Sequence, residues 1–223
     1  MGRIAVAIDG PSGAGKSTIA RAVAAELGFI YVDTGALYRT IGLAACRAGV
    51  AGDDADGVTA LLPGLELELR YVGGAQHVLL NGEDVSEAIR TPEISRYASQ
   101  VSAIPHVRAY LLDLQRDMAK KDSVIMDGRD IGTVILPDAE VKIFLTASAE
   151  KRAQRRYLEL REKGQDVTPA EVLQQMAARD EQDAGRAAAP LRQAEDAVLV
   201  DTSGLDLAQS IAAVRRVIDG KRP

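Results

Sequence analysis

The feature that most constrains the fold is a glycine-rich loop, G-P-S-G-A-G-K-S, at residues 10–17. The apolar run before it, Ile4 to Ile8, is too short for a helix and is typical of a buried parallel strand. After the loop, apolar residues recur at helical spacing until Gly28 ends the pattern. Residues 29–32 then predict a second buried strand. Strand, helix and strand form a βαβ unit, whose crossover should be right-handed.

The same alternation of short apolar runs and helical patterns returns later in the chain. Runs at residues 124–126, 141–145 and 198–200 predict three further strands, and a closing helix follows the last of them. Five such runs with helices between them predict an α/β fold, a parallel sheet with helices on both faces. A length of 223 residues fits a single domain over residues 1–223.

One stretch departs from this alternation. Leu65, Leu67, Leu69 and Tyr71 alternate with charged residues, which is the period of a half-exposed strand. A short apolar run ahead of Asn81-Gly82 adds a hairpin signal. The sequence therefore predicts a small antiparallel excursion at about residues 63–85.

The glycine-rich loop fits the pattern G-x-x-x-x-G-K-[ST], in which backbone N–H groups and a helix N-terminus face a polyphosphate. Lys16 would place a positive charge at the β and γ phosphates, and the hydroxyl of Ser17 can ligate Mg²⁺. The sequence thus predicts binding of a nucleoside triphosphate. The residues expected to contact it are Gly10, Pro11, Ser12, Gly13, Ala14, Gly15, Lys16, Ser17 and Thr18.

Two arginine-containing segments directly follow predicted strands. They are D-T-G-A-L-Y-R at residues 33–39 and D-G-R-D at residues 127–130. Ligands of open α/β sheets bind at the carboxyl ends of strands, so both segments should lie beside the loop. The aspartates that end these strands, Asp33 and Asp127, have two open roles: orienting waters on Mg²⁺ or capping neighbouring helices. No [NT]-K-x-D segment for reading guanine is present.

Residues 151–163 hold six Lys and Arg against two Glu, and six minus two gives +4 in a chain of net charge -5. This charge suits a mobile flap that closes on phosphates, and the alternative is a solvated helix with intrahelical ion pairs. Arg179, Asp183 and Arg186 follow at spacings of four and three, so they share one helix face. The alternative for them is a surface salt-bridge ladder.

Composition narrows the class of partner. The net charge argues against binding of nucleic acid or an anionic membrane surface. A single cysteine excludes an internal disulfide, and with two histidines it cannot form a cysteine/histidine metal cluster. No apolar run could cross a bilayer and no signal peptide is predicted. We expect a cytoplasmic monomer that acts on small molecules.

These motifs together resemble those of the bacterial cytidylate kinases, in the nucleoside monophosphate kinase group. The matching segments are residues 9–17, 33–39, 99–101, 127–133 and 179–186. The resemblance covers nearly the whole chain and implies a P-loop NTPase-like five-stranded parallel sheet, a monophosphate-binding insert at about residues 63–97 and a helical lid at about 152–186. Thr34 is a departure, because many relatives have serine there, but the hydroxyl is kept.

The resemblance implies Mg²⁺-assisted transfer of the γ-phosphoryl of ATP to CMP or dCMP, and it assigns roles to matching positions. The acceptor phosphate would be held by Arg39, Arg129 and Arg186, which with Lys16 form the expected catalytic set. The cytosine would be surrounded by Thr34, Arg108, Asp130 and Arg186. The sugar would contact Ser99, Arg179 and Asp183. The lid region contains Arg152, Arg155 and Arg156, of which the last two are expected to contact ATP.

Two alternatives stay open from the sequence. One is a small P-loop kinase for another acceptor, such as UMP, AMP or a metabolite, and the other is a non-catalytic nucleotide-binding switch. The arginines and the D-G-R-D segment favour a kinase over a switch. The choice of CMP rests on Thr34 and Asp130, and so largely on the resemblance. A carboxylate such as that of Asp130 accepts from the amino group of cytosine and cannot donate to the oxygen of uracil.

Overall fold

The computed structural model describes residues 3–162 and 164–221 of the chain. Lys163, the last residue of the basic segment 151–163, lies outside the described residues. Contacts divide the chain into two units. The first unit combines the chain up to Ile30 with the chain from Asp122 onward, and the second is Tyr31–Lys121. The second unit is one continuous segment, which interrupts the first along the sequence.

Strands and helices alternate through most of the described chain. The strands are β1 (Ala5–Asp9), β2 (Ile30–Asp33), β3 (Leu67–Val72), β4 (Ala75–Leu80), β5 (Glu83–Asp84), β6 (Val124–Gly128), β7 (Val141–Thr146) and β8 (Val198–Asp201). The α-helices are α1 (Lys16–Leu27), α2 (Thr34–Arg47), α3 (Ala55–Leu61), α4 (Pro92–Val101), α5 (Pro105–Lys121), α6 (Ala149–Glu162), α7 (Pro169–Ala184) and α8 (Leu207–Lys221). A π-helical turn, Ile131–Ile135, follows β6.

The larger sheet has five strands in the order β2-β6-β1-β7-β8. The pairs β1–β6, β1–β7 and β7–β8 are parallel, with Val6 of β1 opposite Ile125 on one side and Val141 on the other. Consecutive residues Val6, Ala7 and Ile8 are all fully buried, as expected for a strand covered on both faces. The predicted five-stranded parallel sheet is confirmed.

The start of the glycine-rich loop is held against the neighbouring strand β7. Gly10 has a φ of 151°, and a Cβ at this position would lie 1.9 Å from the carbonyl oxygen of Leu145. Only glycine allows this close approach without displacing β7. The loop then leads into α1, which ends at Gly28. The loop is therefore anchored to the sheet at its first residue.

The second unit carries the antiparallel excursion that the alternating leucines predict. Its strands pair in the order β3-β4-β5, with Leu67 opposite Leu80. Asn81 and Gly82 both have positive φ, as a two-residue hairpin turn requires. This confirms the antiparallel insert, and the hairpin turn leads into a short third strand, β5, with exposed Glu83 and Asp84, whose bounds were not predicted.

Helices α6 and α7 form a hairpin in the region predicted to be a helical lid. Ala153 and Leu160 of α6 pack with Val172 and Met176 of α7 in a buried apolar cluster. Thr168 begins α7 with a capping box, in which its side chain and that of Glu171 bond to each other's backbone N–H. None of the described helices is both long enough and apolar enough to span a membrane.

Candidate active site

Lys16 of the glycine-rich loop is buried, and its charge lies inside the loop. Its Nζ donates to the carbonyl oxygens of Gly10 at 2.7 Å and Pro11 at 2.8 Å. Burial, followed by the nearby charge of Arg129, lowers the pKa of Lys16 from 10.5 to about 7. The loop therefore holds an ammonium group that is close to losing its proton at neutral pH.

The residue after Lys16 joins the loop to the end of strand β6. The hydroxyl of Ser17 donates to Oδ2 of Asp127 at 2.9 Å, and Asp127 is buried. A hydroxyl and a carboxylate are oxygen ligands of the kind that Mg²⁺ prefers, and Mg²⁺ usually takes only one or two carboxylates beside substrate phosphates. The pair therefore fits Mg²⁺. The described residues contain no group of three acidic, histidine or cysteine side chains that could hold a metal alone.

A buried carboxylate on α7 holds two arginines. Asp183 accepts from Nε of Arg129 at 2.8 Å and from the guanidinium of Arg186, and only 1% of its side chain is exposed. Burial opposes ionisation of Asp183, but Arg129 and Arg186 outweigh it and hold the pKa of this carboxyl below its usual value. These residues therefore do not form the surface salt-bridge ladder of the alternative hypothesis, because the carboxylate at the centre of the cluster is buried.

Asp130 follows Arg129 and is buried, and the next two residues are bound by Asp9, the last residue of β1. Oδ1 of Asp9 accepts from the backbone N–H of Ile131 and Oδ2 from that of Gly132, both at 2.8 Å. Burial raises the pKa of Asp9 to about 6, although both N–H groups and Lys16 act in the opposite direction.

Arg179 of α7 also acts on the loop electrostatically, because its charge helps to lower the pKa of Lys16. The first unit thus brings together most of the predicted residues at one edge of its sheet: the loop, Arg129, Asp130, Arg179, Asp183 and Arg186.

The arginines of α6 differ in their surroundings. Arg152 donates to the carbonyl oxygens of Ser12 at 3.1 Å and Ala147 at 3.0 Å, and its guanidinium lies 2.6 Å from Oδ2 of Asp180. Its side chain is buried, so the alternative of a solvated helix does not describe Arg152. Arg152 instead ties α6 and α7 to the backbone of the glycine-rich loop.

Arg155 and Arg156 separate into two environments. Arg155 donates to the carbonyl oxygen of Ala14 at 3.3 Å and to that of Thr202 at 2.9 Å. Arg156 pairs with Glu159 on its own helix at 2.8 Å. This is an intrahelical ion pair, as expected if this part of α6 is a solvated helix. Contact of Arg155 and Arg156 with ATP stays a prediction.

In the second unit, Asp33 begins helix α2 and orients an arginine. Its Oδ1 accepts from the N–H of Ala36 at 3.0 Å, and its Oδ2 pairs with Arg39 at 2.7 Å. The sequence left two roles open for Asp33, and in the structure Asp33 caps helix α2. Asp33 thus places the guanidinium of Arg39 over the first turn of α2.

The remaining predicted residues of the second unit are Thr34, Ser99 and Arg108. Thr34 and Ser99 are buried. The guanidinium of Arg108 lies over the ring of Tyr38, 5.7 Å from its centroid, and donates to the carbonyl oxygen of Ser102 at 3.3 Å. Stacking on Tyr38 gives Arg108 a fixed direction.

Gln76 is a residue of this unit that the sequence reasoning missed. Its side-chain amide accepts from the backbone N–H of Asp33 at 2.9 Å and donates to the carbonyl oxygen of Asp33 at 3.3 Å. Gln76 thereby joins strand β4 of the antiparallel insert to the end of β2. A signal was present, because Gln76 precedes the buried Val78 and Leu80 at the two-residue period of one strand face.

Comparisons with known proteins identify the family of the chain. The sequence profile of the family described as cytidylate kinase matches residues 6–219. The chain is 52% identical to the cytidylate kinase of Syntrophotalea carbinolica, over 97% of this chain and 92% of that protein. It is 52% identical to that of Geobacter sulfurreducens, over 96% and 91%, and 50% identical to that of Caldicellulosiruptor saccharolyticus, over 96% and 95%.

Solved structures extend the likeness to the fold. A shikimate kinase from Bacteroides thetaiotaomicron matches with a TM-score of 0.51 and 13% identity, covering 97% of this chain and 98% of that one. An uncharacterized protein from Eubacterium ventriosum matches with a TM-score of 0.55 and 13% identity, covering 98% and 99%. At such identities the likeness concerns the fold alone.

Proposed function

The chain belongs to the cytidylate kinase family, and from that premise we infer that it is a nucleoside monophosphate kinase, which phosphorylates CMP and dCMP with ATP as donor. The observation that carries this inference is identity of about 50% to cytidylate kinases over nearly the whole chain. The reaction joins an oxygen of the acceptor phosphate to the γ-phosphorus and releases ADP.

We propose that the donor side of the site is the glycine-rich loop with Lys16, Ser17 and Asp127. Phosphate oxygens would replace the two loop carbonyls as partners of Lys16, because an anion is a stronger acceptor for an ammonium group. Ser17 and Asp127 would hold Mg²⁺, which neutralises phosphate charge when it is bound. The hydrogen bond between these two side chains supports this assignment, because it keeps both oxygens on the same side of the loop.

On the acceptor side, we propose that Arg129 and Arg186 bind the phosphate of CMP. Asp183 holds both guanidinium groups, so their positions are set before the substrate arrives. Phosphoryl transfer needs charge neutralisation and alignment rather than a strong base, since an acceptor phosphate is already ionised at neutral pH. This requirement suits a cluster of arginines. The roles of Thr34, Arg39, Ser99, Arg108 and Arg179 stay predictions from the resemblance.

Asp130 is the proposed reader of the base. As a buried carboxylate it would accept from the exocyclic amino group of cytosine, whereas uracil would bring an oxygen against it. An unpaired buried polar group costs about 1–3 kcal/mol and more when it is charged, so we expect a preference for CMP over UMP of roughly tenfold to several hundredfold.

The test is a coupled assay of ADP release with CMP, dCMP, UMP and AMP for the wild type, Asp130→Asn and Asp138→Asn. We expect the ratio of kcat/KM for CMP to that for UMP to collapse in Asp130→Asn, because an amide can donate to uracil. Asp138 is exposed and serves as the matched control. If CMP and UMP fall together in Asp130→Asn, Asp130 does not read the base. A wild type that favours UMP or AMP would contradict the proposed substrate.

A further inference from the structure

Asp9 is a buried carboxylate for which the proposed mechanism has no use. It lies directly before the glycine-rich loop, only 5% of its surface is exposed, and both carboxylate oxygens accept a backbone N–H. Burying a charged group is unfavourable unless it is paired and hydrogen-bonded, so such a residue needs a reason. The groups that Asp9 binds supply that reason.

The two N–H groups belong to Ile131 and Gly132, which follow Arg129 and Asp130 directly along the chain. They begin the π-helical turn, which closes back on Asp130 through a 2.9 Å bond from the N–H of Val134 to the carbonyl oxygen of Asp130. The carboxylate of Asp9 therefore sets the path of the backbone at the point where the proposed phosphate and base contacts leave strand β6.

The backbone of Asp9 does not depend on these bonds. It pairs with Gly128 of β6 on one side and Phe144 of β7 on the other, and the next residue, Gly10, is packed against Leu145. Loss of the carboxylate would thus leave the start of the glycine-rich loop in place. It would release the turn after Arg129 and Asp130.

We propose that Asp9 is a positioning residue for the acceptor, whose carboxylate aligns Arg129 and Asp130 with CMP. The proposal rests on the proposed function, because it concerns the acceptor that this function names. It predicts an unequal effect on the two substrates. A residue that only stabilised the fold would affect both substrates alike, and one that acted only on the loop would affect ATP more than CMP.

The first experiment compares Asp9→Asn with the wild type in steady-state kinetics, with CMP and ATP varied in turn. The amide keeps one acceptor oxygen and turns an N–H₂ group toward a backbone N–H, so one of the two bonds is lost. We expect kcat/KM for CMP to fall about 10-fold to 100-fold, the scale for a misplaced contact. At about pH 6.5, where Lys16 is mostly charged, the KM for ATP should change less than about twofold, because the backbone of the glycine-rich loop keeps its place. The comparison is made below neutral pH because loss of the Asp9 charge also lowers the pKa of Lys16. The preference for CMP over UMP should shrink as well.

The matched control is Asp201→Asn. Asp201 also ends a strand and accepts a backbone N–H, from Ser203 at 2.8 Å, but it is exposed. We expect this variant to keep the wild-type constants for both substrates.

A second variant covers the case in which Asp9→Asn fails to fold. A Cβ on Gly132 would lie 3.4 Å from Oδ2 of Asp9, 3.2 Å from Cδ of Lys142 and 3.3 Å from its Cγ, so its neighbours need to shift by only a few tenths of an ångström, and the φ of Gly132 needs no glycine. Gly132→Ala should therefore fold while displacing the same turn slightly. We expect a rise of about 3-fold to 10-fold in the KM for CMP with the KM for ATP kept.

The outcomes separate the two proposals. Equal losses toward ATP and CMP, or unchanged constants in folded Asp9→Asn and Gly132→Ala, would overturn the role of Asp9. Failure of the wild type to release ADP with CMP would instead contradict the proposed function. A selective loss toward CMP in either variant supports Asp9 as a positioning residue.

Discussion

Nucleotide binding should transfer a proton to Lys16. Burial and the charges of Arg129 and Arg179 lower the pKa of Lys16 to about 7, against the opposing effect of Asp127 and Asp9. A bound polyphosphate adds negative charge beside Nζ, which favours the ammonium form and raises the pKa again. Proton uptake should therefore be largest when nucleotide is added above neutral pH, where a lysine with this pKa is mostly neutral before binding.

The size of the effect follows from the pKa of Lys16. At about pH 8, a group with a pKa near 7 is about 90% deprotonated, so binding should take up about 0.9 proton. At about pH 6.5 the same group is mostly charged already, and uptake should fall to about 0.25 proton. Because the proton enters with the ligand, affinity should weaken as the pH rises, by up to about tenfold per pH unit above the pKa.

Calorimetry with Mg-ADP measures this uptake without turnover. Titrations in two buffers of different ionisation enthalpy, at the same pH, give the number of protons from the difference in observed heat. Lys16→Arg is the informative variant, since a guanidinium stays charged at every accessible pH and should take up none. Lys120→Gln, at an exposed ion pair on α5, is the control. Absence of uptake in the wild type, or equal uptake in Lys16→Arg, would show that Lys16 does not gain a proton when nucleotide binds.

Two further predictions concern stability. Asp183→Asn should lower the free energy of unfolding by about 3–5 kcal/mol, because two arginines lose a buried partner. Urea denaturation measures this loss, and Asp138→Asn, at an exposed carboxylate, should stay within about 0.5 kcal/mol of the wild type. An equal effect of both variants would contradict it. Gly10→Ala should lower the melting temperature strongly, since its Cβ would meet the carbonyl oxygen of Leu145 at 1.9 Å, whereas Gly204→Ala meets no atom within 4 Å. A wild-type melting temperature for Gly10→Ala would show that strand β7 can move away from the new Cβ at little cost.

Local spacing in the sequence predicted the elements of the fold well. Short apolar runs that end at Asp9 and Asp127 are strands β1 and β6, and the Asn81-Gly82 pair is the predicted hairpin turn. These features depend on residues that are close together along the chain, so they can be recognised from one sequence. The hairpin signal implied a strand after Gly82, but β5 has no apolar pattern of its own and depends on pairing with β4, so its bounds could not be predicted from the sequence.

Contacts between distant segments were harder to predict. The spacing of Asp183 and Arg186 put them on one helix face, and their contact agrees with this. The ion pair of Arg129 and Asp183 joins residues that are 54 positions apart, and a hydrophobic or helical periodicity cannot predict a contact over that separation. The same limit applies to Arg152. The positive charge of residues 151–163 suggested a mobile flap, but the guanidinium of Arg152 donates to the carbonyl oxygen of Ser12 in the glycine-rich loop.

The order of segments along the chain has a consequence for folding. Strand β1 and the glycine-rich loop are synthesised well before the neighbours of β1 in the sheet, as the 119-residue separation of Ile4 and its partner Ser123 illustrates. Closing so long a loop is slow compared with forming local contacts. The continuous segment Tyr31–Lys121 leaves the ribosome in full while β1 still lacks β6 and β7. Phosphate binding should therefore have to wait until β6 and β7 have been synthesised, although the loop itself is made well before them.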